Sequence, residues 1–150
     1  MRPGNQLDDV VPPQIDGTLL ISVSNLPPRG GPEYATLLEA QPVAQLGGTI
    51  LVFKGRFDMP LVAAFSHSIR ASWLTREGKA EEAIIEALEG VRLAPNDARV
   101  YFHLGSAYAA AGKTAEGRTA FETTIKLATI NPGLYRNWEV RANSELEKLK

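Results

Sequence analysis

The chain has 150 residues and no cysteine. That excludes a disulfide framework and any thiolate metal site, although it fixes no compartment. Charge of one sign is also missing. Charged residues make up 22% and the formal net charge is -1. Division at Asp58 leaves the balance intact, with 4 basic and 5 acidic residues before it and 12 of each from it onward. Without a basic excess the chain has little to hold phosphates, so nucleic acid is not an expected partner. Long hydrophobic runs are absent too. Runs such as Leu19 to Val23 and Ile50 to Phe53 fall far short of the roughly 20 residues of a membrane span, and no membrane insertion by this segment is expected. Residues 1–15 have no charged head followed by an apolar core, so no signal peptide is read.

What the sequence does contain is a helical repeat. Tyr101-x2-Leu104-Gly105-x2-Tyr108 leads into Ala111-Gly112-Lys113 and Gly117-x3-Phe121. Leu104 and Tyr108 lie four apart on one helix face, and Gly105 allows a second helix backbone to come close. Gly112 ends the first helix, and Phe121 with Ile125 forms the matching stripe on the second. The pattern recurs 34 residues earlier: Gly78-Lys79 answers Gly112-Lys113, Glu82 answers Glu116, Ser72 answers Ser106, and Leu93-Ala94 answers Leu127-Ala128. Leu74 answers Tyr108, Val91 answers Ile125, and Pro95 ends the copy. This spacing resembles the tetratricopeptide repeat. The first copy departs from that pattern, with His67, Arg70, Ala71 and Ala87 where aromatic, Leu, Gly and Phe belong. In the second, Gly117 replaces Ala and the terminal proline comes late, at Pro132. The resemblance implies two helical hairpins, at about 64–97 and 98–131, with a capping helix over 132–149 and a surface that binds a protein or peptide.

Around the repeats the expected organisation is an extended leader (1–15), a small strand-helix-strand unit (16–57) and a helical domain (58–150). The fold class is α+β, mainly α. Thr18–Ser24 reads as a strand after Asp16-Gly17, and Pro32 opens a short helix with Tyr34, Leu37 and Leu38 inward. Thr49–Lys54 is the second strand, in a right-handed βαβ unit or, alternatively, an antiparallel pair. So small a unit cannot bury enough apolar surface alone. It either packs on the helices or pairs its sheet edge, self-association included. From Asp58, a candidate N-cap, the period becomes helical. Leu61, Phe65, Ile69 and Trp73 form one stripe, and Ile84, Ala87, Leu88 and Val91 the next. Asp97 and Thr114 are read as caps of the third and fourth helices. Leu134, Trp138, Ala142, Leu146 and Leu149 mark the last helix.

No constellation points to catalysis. His67 and His103 are 36 residues apart and lack the thiolates or paired carboxylates that would complete a metal site. Glu81, Glu82, Glu86 and Glu89 read as the wet face of a helix. Gly30-Gly31 and Gly47-Gly48 match no phosphate-loop pattern, and Ser22 and Ser24 have no histidine partner. The sequence therefore predicts no enzyme, no catalytic residue, no metal and no cofactor. The candidate peptide groove lies on the first helix of each repeat: Ser68, Ser72, Thr75 and Arg76 from one, Arg99, Phe102, Ser106 and Ala109 from the other. Two arginines and an exposed Phe102 would grip an extended segment. The alternative is that the N-terminal unit occupies this face. The lysine and asparagine set of chaperone-binding members is missing here.

The N-terminal unit carries a resemblance of its own. Ser22 to Leu26, Tyr34, Pro42-Val43-Ala44 and Gly47-Gly48-Thr49 are similar to the soluble part that follows the last membrane helix in bacterial protein-mannosyltransferase-like glycosyltransferases. No catalytic residue is carried over by it. The expected function is thus a non-catalytic interaction or scaffolding module. The alternative is the extracytoplasmic accessory tail of a lipid-linked-sugar transferase. A native start at Met1 implies the cytoplasm, and the tail reading the far side of a membrane.

Overall fold

The computed structural model describes residues 10–27 and 31–150. The chain is α+β and mainly helical: among the described residues a small three-stranded antiparallel sheet is followed by five α-helices. It divides into two compact units, Val11–Ala63 and Ala64–Lys150. Most of the expected leader lies outside the described residues, but its end is already strand.

Strand β1 spans Gln14–Ser22, β2 Ala44–Leu46 and β3 Ile50–Asp58, in the order β1-β3-β2. Both neighbours run antiparallel to β3. The parallel βαβ arrangement is therefore corrected in favour of its antiparallel alternative. The β2–β3 half of the arrangement is set by the Gly47-Gly48 pair, at φ +54° and +74°. Two successive left-handed residues make the hairpin turn whose twist suits flanking strands, and Thr49 N donates to Leu46 O across it at 3.2 Å. This turn adds β2, a strand missing from the sequence reading. The expected short helix is present at Pro32–Leu38, as a 3-10 helix. With three residues per turn, Tyr34 and Leu37 share the inner face and Leu38 is turned to solvent. Leu37, Phe53 and Met59 form the buried centre, with Ile15, Leu19, Ile21, Leu51 and Phe57 against it. Asp58 ends β3 opposite Gln14, whose Nε2 donates to its Oδ1 at 2.9 Å, instead of capping a helix.

The helices are α1 (Pro60–Arg76), α2 (Ala80–Leu93), α3 (Ala98–Ala110), α4 (Thr114–Ile130) and α5 (Pro132–Lys148). The 34-residue recurrence is physical. Gly78 and Gly112 hold φ +77° and +73°. Gly78 N donates to Thr75 O and Gly112 N to Ala109 O, both at 3.1 Å. Lys79 N donates to Leu74 O and Lys113 N to Tyr108 O, both at 2.9 Å. These paired bonds close each first helix on a left-handed glycine and launch the second. Asp97 caps α3 as expected, accepting from Arg99 N at 2.9 Å. Thr114 does not cap α4: it is already inside the helix, after Lys113.

The buried face of α1 is Ala64, Ser68, Ala71 and Leu74, about a third of a turn from the stripe of large residues, and Ile69 is 53% exposed. Small residues win this face because the helices come close. A Cβ on Gly90 of α2 would stand 3.1 Å from Ala64 O and from Ser68 Oγ. Ala71 and Leu74 pack with Ala83, Ile84 and Ala87 of α2, while Leu88 faces out. In the second hairpin Gly105 and Gly117 do the equivalent. A Cβ on Gly105 would meet the Phe121 ring at 2.7 Å, and one on Gly117 would lie 3.3 Å from Ala109 N and Gly105 O. The degenerate first copy is thereby explained: Ala71 against Ala87 fills the space that Gly105 and Phe121 fill one repeat later. Helix α5 packs on α4 and α3 through Tyr135, Trp138, Ala142, Leu146 and Leu149.

Candidate interaction site

The eight residues expected to line a groove do not form one exposed surface. Phe102 is only 5% exposed and packs on Phe121, Ala142 and Trp138. It is core because α5 covers that side of α3, a helix whose placement turn-counting within the repeat does not give. Ser68 is 1% exposed, its hydroxyl donating to Ala64 O at 3.0 Å under Gly90. Thr75 and Ser106 likewise turn their hydroxyls to their own helix, onto Ala71 O and Phe102 O. Ser72 and Ala109 are half-buried, and Arg76 is exposed at the end of α1.

Arg99 is held inside a polar knot at the start of α3. Its Nε and Nη2 donate to the two Asp97 carboxylate oxygens at 2.9 and 2.7 Å. Its guanidinium lies 3.9 Å from the Phe65 ring centre and 5.6 Å from that of Tyr135. The Tyr135 hydroxyl donates to Asp97 Oδ2 at 3.0 Å. Burial, with the Asp97 charge adding to it, pushes the Tyr135 phenol up to about 12. Asp97 thus satisfies the first turn of α3, complements its dipole and neutralises Arg99 together. These residues are structural anchors.

The histidines are separate. His67 Nδ1 lies 2.7 Å from Glu86 Oε2, and Arg70 reaches the same carboxylate at 3.0 Å. His103 stands edge-on to Phe102 and Trp138, with the Arg141 guanidinium over both of those rings at 4.4 and 4.5 Å. Burial, helped by Arg141, pushes the His103 imidazole down to about 4.

A concave apolar surface does exist, on the other stripe of the second hairpin. Tyr101, Leu104 and Tyr108 recur at i, i+3 and i+7 on α3, and Glu116, Thr119, Ala120 and Thr123 do the same on α4. The two stripes face a valley of about 260 Å³. Leu104 and Ala120 are its buried floor and the tyrosine rings are half-buried. Thr119 and Thr123 donate their hydroxyls to Ala115 O and Thr119 O of their own helix, at 3.1 and 2.9 Å. That leaves the walls largely apolar, with the phenol groups and the exposed Glu116 carboxylate as polar handles. Tyr101, Leu104 and Tyr108 are the repeat-defining residues themselves. Their 3-4 spacing was visible as a packing signal, and nothing in the sequence marked part of that stripe as open. No family model matches this chain, and no curated protein or solved structure is significantly similar to it.

Proposed function

We propose that the helical unit is a non-catalytic interaction module of the tetratricopeptide kind, and that the α3–α4 valley receives an apolar side chain from a segment of a partner protein. The observation that carries this reading is the open valley between two helices whose closest contacts are already filled by Gly105, Gly117 and Phe121. A rigid, pre-formed apolar cleft with few polar groups is the usual form of a recognition pocket. Glu116 at its edge favours a basic residue beside the anchor, since opposite charge at a rim steers encounter and orientation.

The test uses a random-peptide display library screened on the purified chain. Selected peptides are expected to share a large apolar residue near a lysine or arginine. Thr119→Arg with Thr123→Arg fills the valley from largely solvent-facing positions, and fluorescence anisotropy should show at least about tenfold weaker binding. Unchanged affinity in this variant, with its helical circular dichroism retained, would remove the valley as the site. Weakened binding after Glu116→Gln, confined to basic peptides, would support the rim assignment.

A further inference from the structure

The outer edge of β1 has no strand beside it among the described residues, because the sheet order is β1-β3-β2. Which of its groups point outward follows from the hydrogen bonds at its two ends. Val23 N donates to Thr49 O at 2.9 Å and Met59 N donates to Pro13 O at 2.7 Å. Both pairs continue the register in which Gln14 faces Asp58 and Ser22 faces Ile50. Odd-numbered residues therefore turn their backbone N–H and C=O toward β3, and even-numbered ones turn theirs away. Gln14, Asp16, Thr18, Leu20 and Ser22 present a row unpaired among the described residues, over a nine-residue strand.

Exposed edges of this length are ordinarily blunted by lysine, proline, bulges or a cover. Gln14–Ser22 contains no lysine or proline, and its pairing with β3 is unbroken by a bulge. Its one charge, Asp16, leans across the sheet face to Arg56 at 3.5 Å. Gly17 and Thr18 are exposed and Leu20 is 58% exposed.

We propose that this edge pairs antiparallel with β1 of a second copy of the chain, joining the two sheets into one of six strands. The strand's own sequence favours a second copy as the occupant. Centred on Thr18, the antiparallel register sets Thr18 against Thr18 of the second copy, Ile15 against Ile21, and Gln14 against Ser22. Even residues then meet even residues, so every outward N–H and C=O along the strand finds its complement. Odd residues also meet odd residues. Ile15 and Ile21 accordingly extend the inner apolar layer formed with Leu37, Phe53 and Met59. A slip of one residue would set the inner side chains against the outer face, and larger slips would leave strand ends unpaired. An isologous two-fold contact of this kind closes on itself and makes no open fibre.

Sedimentation equilibrium on the full chain, from about 1 to 500 μM, should show a monomer–dimer equilibrium. Thr18→Pro removes an outward N–H while sparing the β1–β3 ladder, a position at which an edge strand tolerates proline, and should be monomeric throughout. Thr18→Cys supplies the chain's only thiol. In the proposed register its two copies have Cα atoms ~5.5 Å apart, within disulfide reach, so mild oxidation should convert it to a covalent dimer. Leu20→Cys, whose copies are out of register with each other, should cross-link far more slowly. A native chain that stays monomeric over the whole range, or equal cross-linking at the two positions, overturns the proposal. Should Thr18→Pro not fold, the cysteine pair still decides it.

Discussion

Replacing Gly105 by alanine tests how the second hairpin is packed. In an ordinary helix interior this change stabilises by about 1 kcal/mol through backbone entropy. Here the added methyl would lie 2.7, 2.8 and 3.0 Å from three ring carbons of Phe121, which is fully buried and has no free side to retreat to. Overpacking of that kind costs about 1–3 kcal/mol, so Gly105→Ala should destabilise by up to ~2 kcal/mol net. Phe121→Ala alone should cost ~3–5 kcal/mol. In the Phe121→Ala background the obstacle is gone, and Gly105→Ala should change sign to become stabilising. The pair would then reproduce the Ala71–Ala87 arrangement of the first hairpin. Urea unfolding followed by tryptophan fluorescence is suitable, because both tryptophans, Trp73 and Trp138, lie in helices of the second unit. Equal effects of Gly105→Ala in the two backgrounds, or stabilisation in the native one, would refute the close-contact account.

Other outcomes follow from the same geometry. Phe102→Ala should lower stability by ~3–5 kcal/mol as a large-to-small core change; unchanged urea stability would return Phe102 to the surface. Tyr135→Phe deletes the donor to the Asp97 carboxylate and should cost ~1–2 kcal/mol, read as a lowered melting temperature, with no change counting against the knot. His103 is held neutral when folded, down to about pH 4, whereas the unfolded imidazole titrates near 6.5. Its contribution is therefore complete above pH 6.5 and is lost as pH falls toward 4, on the order of 3 kcal/mol in all. His103→Gln should flatten that part of the urea-midpoint profile, and a profile identical to the native one would contradict the assignment.

Much of the helical unit was legible because glycines mark it. Gly78 and Gly112 each permit one backbone conformation that few other residues accept, and their 34-residue separation located both hairpins. The α1 stripe was misread at Ile69: weighting large side chains favours it, while the closest contact between the helices is made by Ala64, Ser68, Ala71 and Gly90. Phe102 was misassigned because its burial depends on Trp138 and Ala142 from α5, a contact that lies outside the repeat. In the sheet unit, Gly47-Gly48 was the available sign of a tight hairpin, and β2 is only Ala44–Leu46, too short for alternation to register. The valley between α3 and α4 depends on how far apart two stripes sit, which linear spacing does not contain.

The unequal filling of the two hairpins bears on how quasi-identical helices find their proper mates. Were α4 to dock on α1, the benzyl group of Phe121 would collide with the Ala71 methyl. Were α2 to dock on α3, Ala87 would leave a hole beside Gly105. One wrong match is crowded and the other hollow, so the tandem copies discriminate against exchanging partners during folding, and against trading hairpins between neighbouring chains.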